Sequence, residues 1–106
     1  MSYRFVRLII FYDLPSVTKK ERRIYHKFHK FLTGSGFVMM QESVYSKLVL
    51  NANNAKAIQQ SVKEASPKEG LIQMMLITER QYENIEFIIG EKESEVIDSD
   101  ERLLIL

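Results

Sequence analysis

The chain opens on apolar positions at period two. From Arg4 to Tyr12, Val6, Leu8, Ile10 and Tyr12 fall on one side of an extended segment and Phe5, Ile9 and Phe11 on the other, which predicts a strand with two apolar faces. The period then changes to that of a helix. Thr18-Lys-Lys-Glu21 has the form of a capping box, in which a hydroxyl and a carboxylate satisfy free amides at a helix start. Ile24, Phe28, Phe31 and Leu32 follow at i, i+4, i+7 and i+8, and Gly34 with Gly36 ends that helix. Phe37 to Gln41 and Val44 to Leu50 read as two strands joined tightly near Glu42-Ser43. Within the turn Asn51-Ala-Asn-Asn54, Asn53 or Asn54 caps a second helix that runs to about Ala65, where Ser66-Pro67 stops it. Leu71 to Ile77 is a fourth strand, and Thr78-x-x-Gln81 opens a short helical turn. Ile85 to Ile89 and Arg102 to Leu106 are further short strands on either side of the acidic stretch Glu91 to Glu101.

The order βαββαβ predicts an α+β domain of the ferredoxin-like arrangement. A single domain spans 1–106, with a core over about 1–78 and a C-terminal extension over about 79–106 that carries one or two extra strands. Two helices cover one face of such a sheet. Strand one is apolar on both faces, and strand four sets Leu71, Met75 and Ile77 against Ile72, Met74 and Leu76, so the second face also needs a cover. A second copy of the sheet is the most economical one, which predicts a homodimer. The Leu103-Leu-Ile-Leu106 tail is suited to adding a strand to a sheet edge, the partner's included.

Composition sharpens this picture. The 106 residues suffice for one core, and 45% hydrophobic content with two prolines marks a folded chain. With no cysteine, disulfides, zinc-thiolate sites and thiol nucleophiles are excluded, as suits a reducing compartment. The stretch Leu8 to Tyr12 is too short for a signal peptide or a membrane span, so the expectation is a cytoplasmic protein without membrane contact. The net charge of +1 conceals a division after Lys68: twelve Lys/Arg against four Asp/Glu in residues 1–68, three against ten in residues 69–106. The split suggests one surface suited to phosphates and another that repels them, the alternative being solvated faces that differ by chance.

Two features carry candidate chemistry. Asp13 stands at the end of the first strand, directly before Leu14-Pro15. One reading is a turn acid bonding the amides around Pro15-Ser16. The other is a hard oxygen ligand for Mg²⁺, with two copies of Asp13 facing each other across a dimer axis. The second feature is the first helix. Wound at about 100° per residue, it brings Lys19, Arg22, Arg23, His26, Lys27 and Lys30 within roughly 140° of arc opposite the apolar stripe. No acid interrupts them, Lys20 lies beside them, and Arg4 and Arg7 extend the set, so phosphate binding is preferred over an ordinary solvated face. His26 and His29 have no companion at metal-ligand spacing, and no phosphate-binding loop or Ser/His/Asp set is present. The five methionines fill strand patterns as core or interface.

A first strand ending in Tyr12-Asp13, the basic helix, the Gly36-Phe37 turn and Gln41-Glu-Ser43-Val44-Tyr45 together resemble the CRISPR-associated protein 2 family. Leu14-Pro15, the "SVYSKLVL" strand and the "ERLLIL" tail look most like the version from systems with a Cas9-type effector. The resemblance implies a homodimer that bridges two dimers of the CRISPR integrase subunit and holds double-stranded DNA, the prespacer, for insertion as a new spacer. It also implies an alternative, a metal-dependent endonuclease on RNA or double-stranded DNA with Asp13 as catalytic Mg²⁺ ligand. The lone acid favours the adaptor. A ligand-sensing ferredoxin-like domain is disfavoured, because the turn after strand one lacks a loop of small residues. The acidic segment Glu79 to Glu101 is expected to face away from DNA and meet a basic surface on the integrase.

Overall fold

The computed structural model describes residues 5–90. Arg4, the acidic stretch beyond Gly90 and Arg102 to Leu106, expected as a strand, lie outside the described residues. The elements run β1 (Val6–Asp13), α1 (Lys19–Gly34), β2 (Val38–Gln41), β3 (Val44–Val49), α2 (Ala52–Ala65), β4 (Leu71–Thr78) and α3 (Glu79–Glu83). The four strands form one sheet in the order β2-β3-β1-β4. β1 is central and antiparallel to both neighbours. This is the ferredoxin-like βαββαβ arrangement.

Each helix begins where its sequence supplies a cap. Thr18 and Glu21 form both halves of the capping box of α1, and Thr78 and Gln81 repeat it for α3. For α2 the cap is Asn51 rather than Asn53 or Asn54: its Oδ1 accepts from the Asn54 amide at 2.8 Å. Asn51 is the residue still in extended geometry, and only that geometry turns a side chain back onto the first amides. Gly36, at φ +92, turns the chain from α1 into β2.

Register decides what each side of the sheet buries. Leu8 lies opposite Leu76, and Ile10 lies between Tyr45 and Met74. Leu8, Ile10, Tyr12 and Tyr45 then pack with Phe28 and Leu32 of α1 and Ala55 and Val62 of α2 into one core. At roughly 25 cal/mol per Å² of apolar surface, that burial is the main source of stability. Tyr25 and Phe31 join from α1, whereas Ile24 stays 36% exposed at the helix margin. The opposite side of the sheet carries Ile9, Phe11, Leu48, Leu71 and Met75 and is covered by neither α1 nor α2. Ile9 is buried there, but Met75 is 48% and Leu71 54% exposed.

Ile85 to Ile89, expected as a strand, is irregular. Its alternation has no strand to pair with among the described residues, and Ile88 and Ile89 are 86% and 91% exposed. Among the described residues, no helix is long and apolar enough to cross a membrane.

Candidate functional site

α1 separates its two kinds of side chain cleanly. Phe28 and Leu32 face the core, and Lys19, Lys20, Arg22, Arg23, His26, Lys27 and Lys30 are all exposed on the outside. Among the described residues none of these cations makes an ion pair. Glu21, the one acid of the helix, is already engaged: its Oε1 accepts from the amides of Val17 at 2.9 Å and Thr18 at 3.0 Å. Those amide bonds, the Thr18 bond foremost, hold its carboxyl below the usual carboxylate range. The Arg22 guanidinium donates to the Val17 carbonyl, which fixes it over the first turn. The result is a continuous cationic surface with its counter-charges left to solvent or a ligand.

Arg7 does not join that surface. It belongs to the uncovered side of β1, where its Nε donates to Glu79 Oε1 at 2.8 Å and its Nη2 to Oε2 at 3.2 Å. Its guanidinium lies 4.1 Å from the centre of the Tyr82 ring. This bidentate, stacked arrangement ties α3 to β1. Conversely, Lys68, in the α2–β4 connection, lies with Lys20 and Lys27, and with the acids Glu21, Glu64 and Glu69, around a groove of about 640 Å³ floored by Leu14, Ile24 and Phe31. Lys68 was missed because nothing in the order of residues brings that connection to α1.

His26 is exposed with the stripe, but His29 is half-buried and its Nδ1 is hydrogen-bonded to the Tyr45 hydroxyl. His29 is therefore a link between α1 and β3. The Tyr45 ring stacks on Tyr12, whose centroid is 5.9 Å away. The Tyr12 hydroxyl is buried and has no hydrogen-bond partner among the described residues. Its pKa is raised far above the ordinary value by burial, then by the neighbouring Tyr45 hydroxyl.

Asp13 ends β1 opposite Leu71 and shares the uncovered side of the sheet with Ile9 and Phe11. The α1 cations thus lie on the outside of the helix layer, with the sheet between that layer and the side of Asp13. The carboxylate does not bond the Ser16 amide, so the turn-acid reading lacks its hydrogen bond. Its backbone is held tightly all the same. Gly70 has φ +108, and a Cβ there would stand 2.6 Å from Leu14 Cδ2 and 3.0 Å from the Asp13 carbonyl oxygen. Only glycine lets β4 begin this close to the end of β1.

Around Asp13 is a shallow recess of about 170 Å³, lined also by Phe11, Ser43, Val44, Leu71 and Gln73. Among its mostly apolar lining residues, three carry a side-chain carboxylate, hydroxyl or carboxamide: Asp13, Ser43 and Gln73. All offer hard oxygen, which suits a hydrated Mg²⁺ in kind, while one chain supplies a single carboxylate. Among the described residues, no group of three or more His, Cys, Asp or Glu is placed to hold a metal.

The comparisons with known proteins agree with this architecture. A family model described as CRISPR associated protein Cas2 matches residues 6–85. A CRISPR-associated endoribonuclease Cas2 of Treponema denticola is 48% identical over 101 residues, covering 95% of this chain and 100% of that protein. One of Streptococcus mutans serotype c is 42% identical over 101 residues, covering 95% and 93%. A solved structure described as a crystal structure of cas2 aligns with TM-score 0.58 at 14% identity, over 85% of this chain and 92% of that one, a likeness of fold. A family model over most of the chain and relatives along nearly all of it lead to one conclusion: the chain belongs to the CRISPR associated protein Cas2 family.

Proposed function

We propose that this protein is a dimeric, DNA-binding adaptor of CRISPR spacer acquisition. Two copies hold a short prespacer duplex and bridge dimers of the integrase subunit. The observation that carries the reading is the outer face of α1, seven exposed basic side chains without an ion-pairing acid among the described residues. Such a surface binds phosphates whatever their sequence, as an adaptor for arbitrary foreign DNA requires. Self-association is supported by the uncovered apolar side of the sheet and by Ile85, Phe87, Ile88 and Ile89, which stand exposed beside no strand of their own. The acidic segment from Glu79 to Glu101 is the proposed integrase contact, although Glu79 is itself engaged by Arg7.

A second reading is a Mg²⁺-dependent endonuclease centred on Asp13. It is favoured by the relatives' name, endoribonuclease, and by the recess beside Asp13 that Ser43 and Gln73 also line. Asp13 would hold the ion, with Ser43 and Gln73 beside it, and the ion would supply charge stabilisation at a phosphoryl oxygen. The adaptor reading is preferred because Asp13 and the α1 cations lie on different layers of the fold, so a duplex seated on the stripe of one copy is not thereby presented to its own Asp13.

Spacer acquisition in cells, paired with a cleavage assay with and without Mg²⁺, separates the two. Asp13→Asn is expected to leave acquisition intact. Reversing Lys19, Arg23 and Lys27 to Glu is expected to abolish it. Acquisition that follows Asp13 and tolerates the reversed stripe would overturn the adaptor reading.

A further inference from the structure

We infer that the groove between α1 and the α2–β4 connection is the docking site of this chain's own residues 98–106, and that the docked segment competes with phosphates for the cations on that flank of α1. The competition rests on the phosphate-binding reading of α1, whereas the docking does not.

The groove follows from the order of residues on α1. Ile24 and Phe31, seven apart, lie at the margin of the apolar stripe, and Lys20 and Lys27, also seven apart, lie beside them on the same flank. Across from them α2 ends early, because Ser66 is extended ahead of Pro67. The facing wall is therefore the connection Ser66 to Glu69, and Ile24 stays 36% exposed. At about 640 Å³ the groove has the size of a binding cleft.

The rim charges differ in what they leave free. Glu21 is held by the amides of Val17 and Thr18, and Glu64 Oε2 accepts from Gln60 Nε2 at 3.2 Å. Lys20, Lys27 and Lys68 are exposed and make no ion pair among the described residues, and Glu69 is the one rim acid in the same condition. The matching occupant is an apolar segment flanked by several acids and one base. Residues 98–106 have that composition: Asp98, Asp100, Glu101 and Arg102, then Leu103-Leu-Ile-Leu106. The uncovered side of the sheet is apolar too, but the charged residues that its strands supply are Asp13, which repels acids, and Arg7, already held by Glu79. Length permits the docking. From Gly90 to Leu103 an extended chain reaches about 43 Å, whereas the 8 residues of β4, from the α3 end to the groove end, cover about 26 Å. The docking acids are among those proposed to meet the integrase, so a partner that takes them would release this flank of α1 to DNA.

The chain has no cysteine, so Ser99→Cys gives the full-length protein one attachment point for a nitroxide, read by nuclear magnetic resonance. The amide signals of Ile24, Phe31 and Lys68 should broaden more than those of Phe11 and Met75, and Leu104→Ser with Ile105→Ser should abolish the difference. The same double substitution, made without the label, leaves the charge unchanged and should tighten binding to a DNA duplex at least about fivefold, a gain that neither misfolding nor long-range charge produces. Broadening centred on Phe11 and Met75, or none at the groove, would overturn the docking. Broadening of isotope-labelled chains by nitroxide on a separate, unlabelled population would assign the segment to a second copy and overturn the inference as stated. Docking with duplex affinity unchanged in the double variant would overturn the competition. Failure of both wild type and double variant to bind duplex would overturn the reading of α1 and leave the docking standing.

Discussion

The outside of α1 and the uncovered side of the sheet are both solvent-facing, and they differ in almost everything else. The first is a row of cations on a helix whose other stripe is sunk in the core. The second is Phe11, Leu71 and Met75 at 36%, 54% and 48% exposure, with one carboxylate at its end. A protein that needed only to fold would have little use for either. The first suits a polyanion, because no acid among the described residues pairs with it. The second is matched to apolar surface, because it repeats the composition of the covered side without the helices. The difference teaches that a cationic face and an apolar face occupy opposite layers of one small domain, so that the proposed nucleic-acid contact and the proposed self-association are separable by substitution.

The largest expected effect breaks the apolar side alone. Replacing Phe11 and Met75 together by Asp is expected to weaken self-association at least 100-fold, about 3 kcal/mol, since two charges would have to be desolvated in the contact. Sedimentation velocity across protein concentrations checks it. The fold should survive, because both side chains stand outside the buried cluster. An unchanged association constant would show that the uncovered side is not the contact.

A smaller effect sharpens the comparison at the Asp13 end. Gly70→Ala meets both the positive φ and the Asp13 carbonyl, and is expected to cost about 1–3 kcal/mol in urea denaturation. Gly34→Ala, at the end of α1 with open space around it, should be neutral or stabilise by up to about 1 kcal/mol. Equal costs at the two positions would show that the β1–β4 junction is not under the steric control described for it.

Much of this contrast was legible in the sequence, for local reasons. The capping boxes at Thr18 and Thr78 and the strand alternation depend on neighbours within a few residues, and the elements followed within one or two residues at their ends. The basic stripe was equally local, since helical winding alone brings Lys19, Arg23 and Lys27 to one side. What failed depended on partners. Ile85 to Ile89 has strand composition but no strand to pair with among the described residues, and Arg7 reads as one more cation until register sets it beside Glu79 and Tyr82. The surroundings of Asp13 were illegible for the same reason: Ser43 and Gln73 are 30 and 60 positions away and meet it only through the order β3-β1-β4.

The cap of α1 provides a prediction of about 1 kcal/mol, with a pH signature. Thr18→Ala should destabilise by that amount through the loss of one amide partner. Glu21 has a carboxyl pKa lower when folded than when unfolded, so its contribution is present above the unfolded value of about 4.3 and is lost as pH falls through the folded one. Urea titrations between pH 7 and pH 3 should therefore show a steeper acid loss in the wild type than in Glu21→Gln. Parallel curves would contradict the role given to the carboxylate.

The smallest effect lies in the core. Tyr12→Phe removes a buried hydroxyl without a partner and should change stability at pH 7 by less than about 1 kcal/mol. The folded pKa of Tyr12 is raised, so its contribution is complete below the unfolded value of about 10 and is lost as pH rises beyond it. Tyr12→Phe should accordingly flatten the alkaline decline seen by circular dichroism. A loss of several kcal/mol at neutral pH would reveal a partner for that hydroxyl.

The central claim, that the outer face of α1 carries the nucleic acid and Asp13 does not, is tested most directly by the salt dependence of duplex binding. Affinity for one DNA duplex of arbitrary sequence is measured from low to physiological salt for the wild type, for Asp13→Asn and for the triple reversal of Lys19, Arg23 and Lys27 to Glu. Each lost phosphate contact should reduce the slope of log affinity against log salt by about 0.9, so the triple reversal should lower it by about 2.7 and weaken binding to any duplex alike. Asp13→Asn should leave the slope unchanged. A triple reversal that keeps the wild-type slope, or an Asp13 substitution that alone removes binding, would contradict the account.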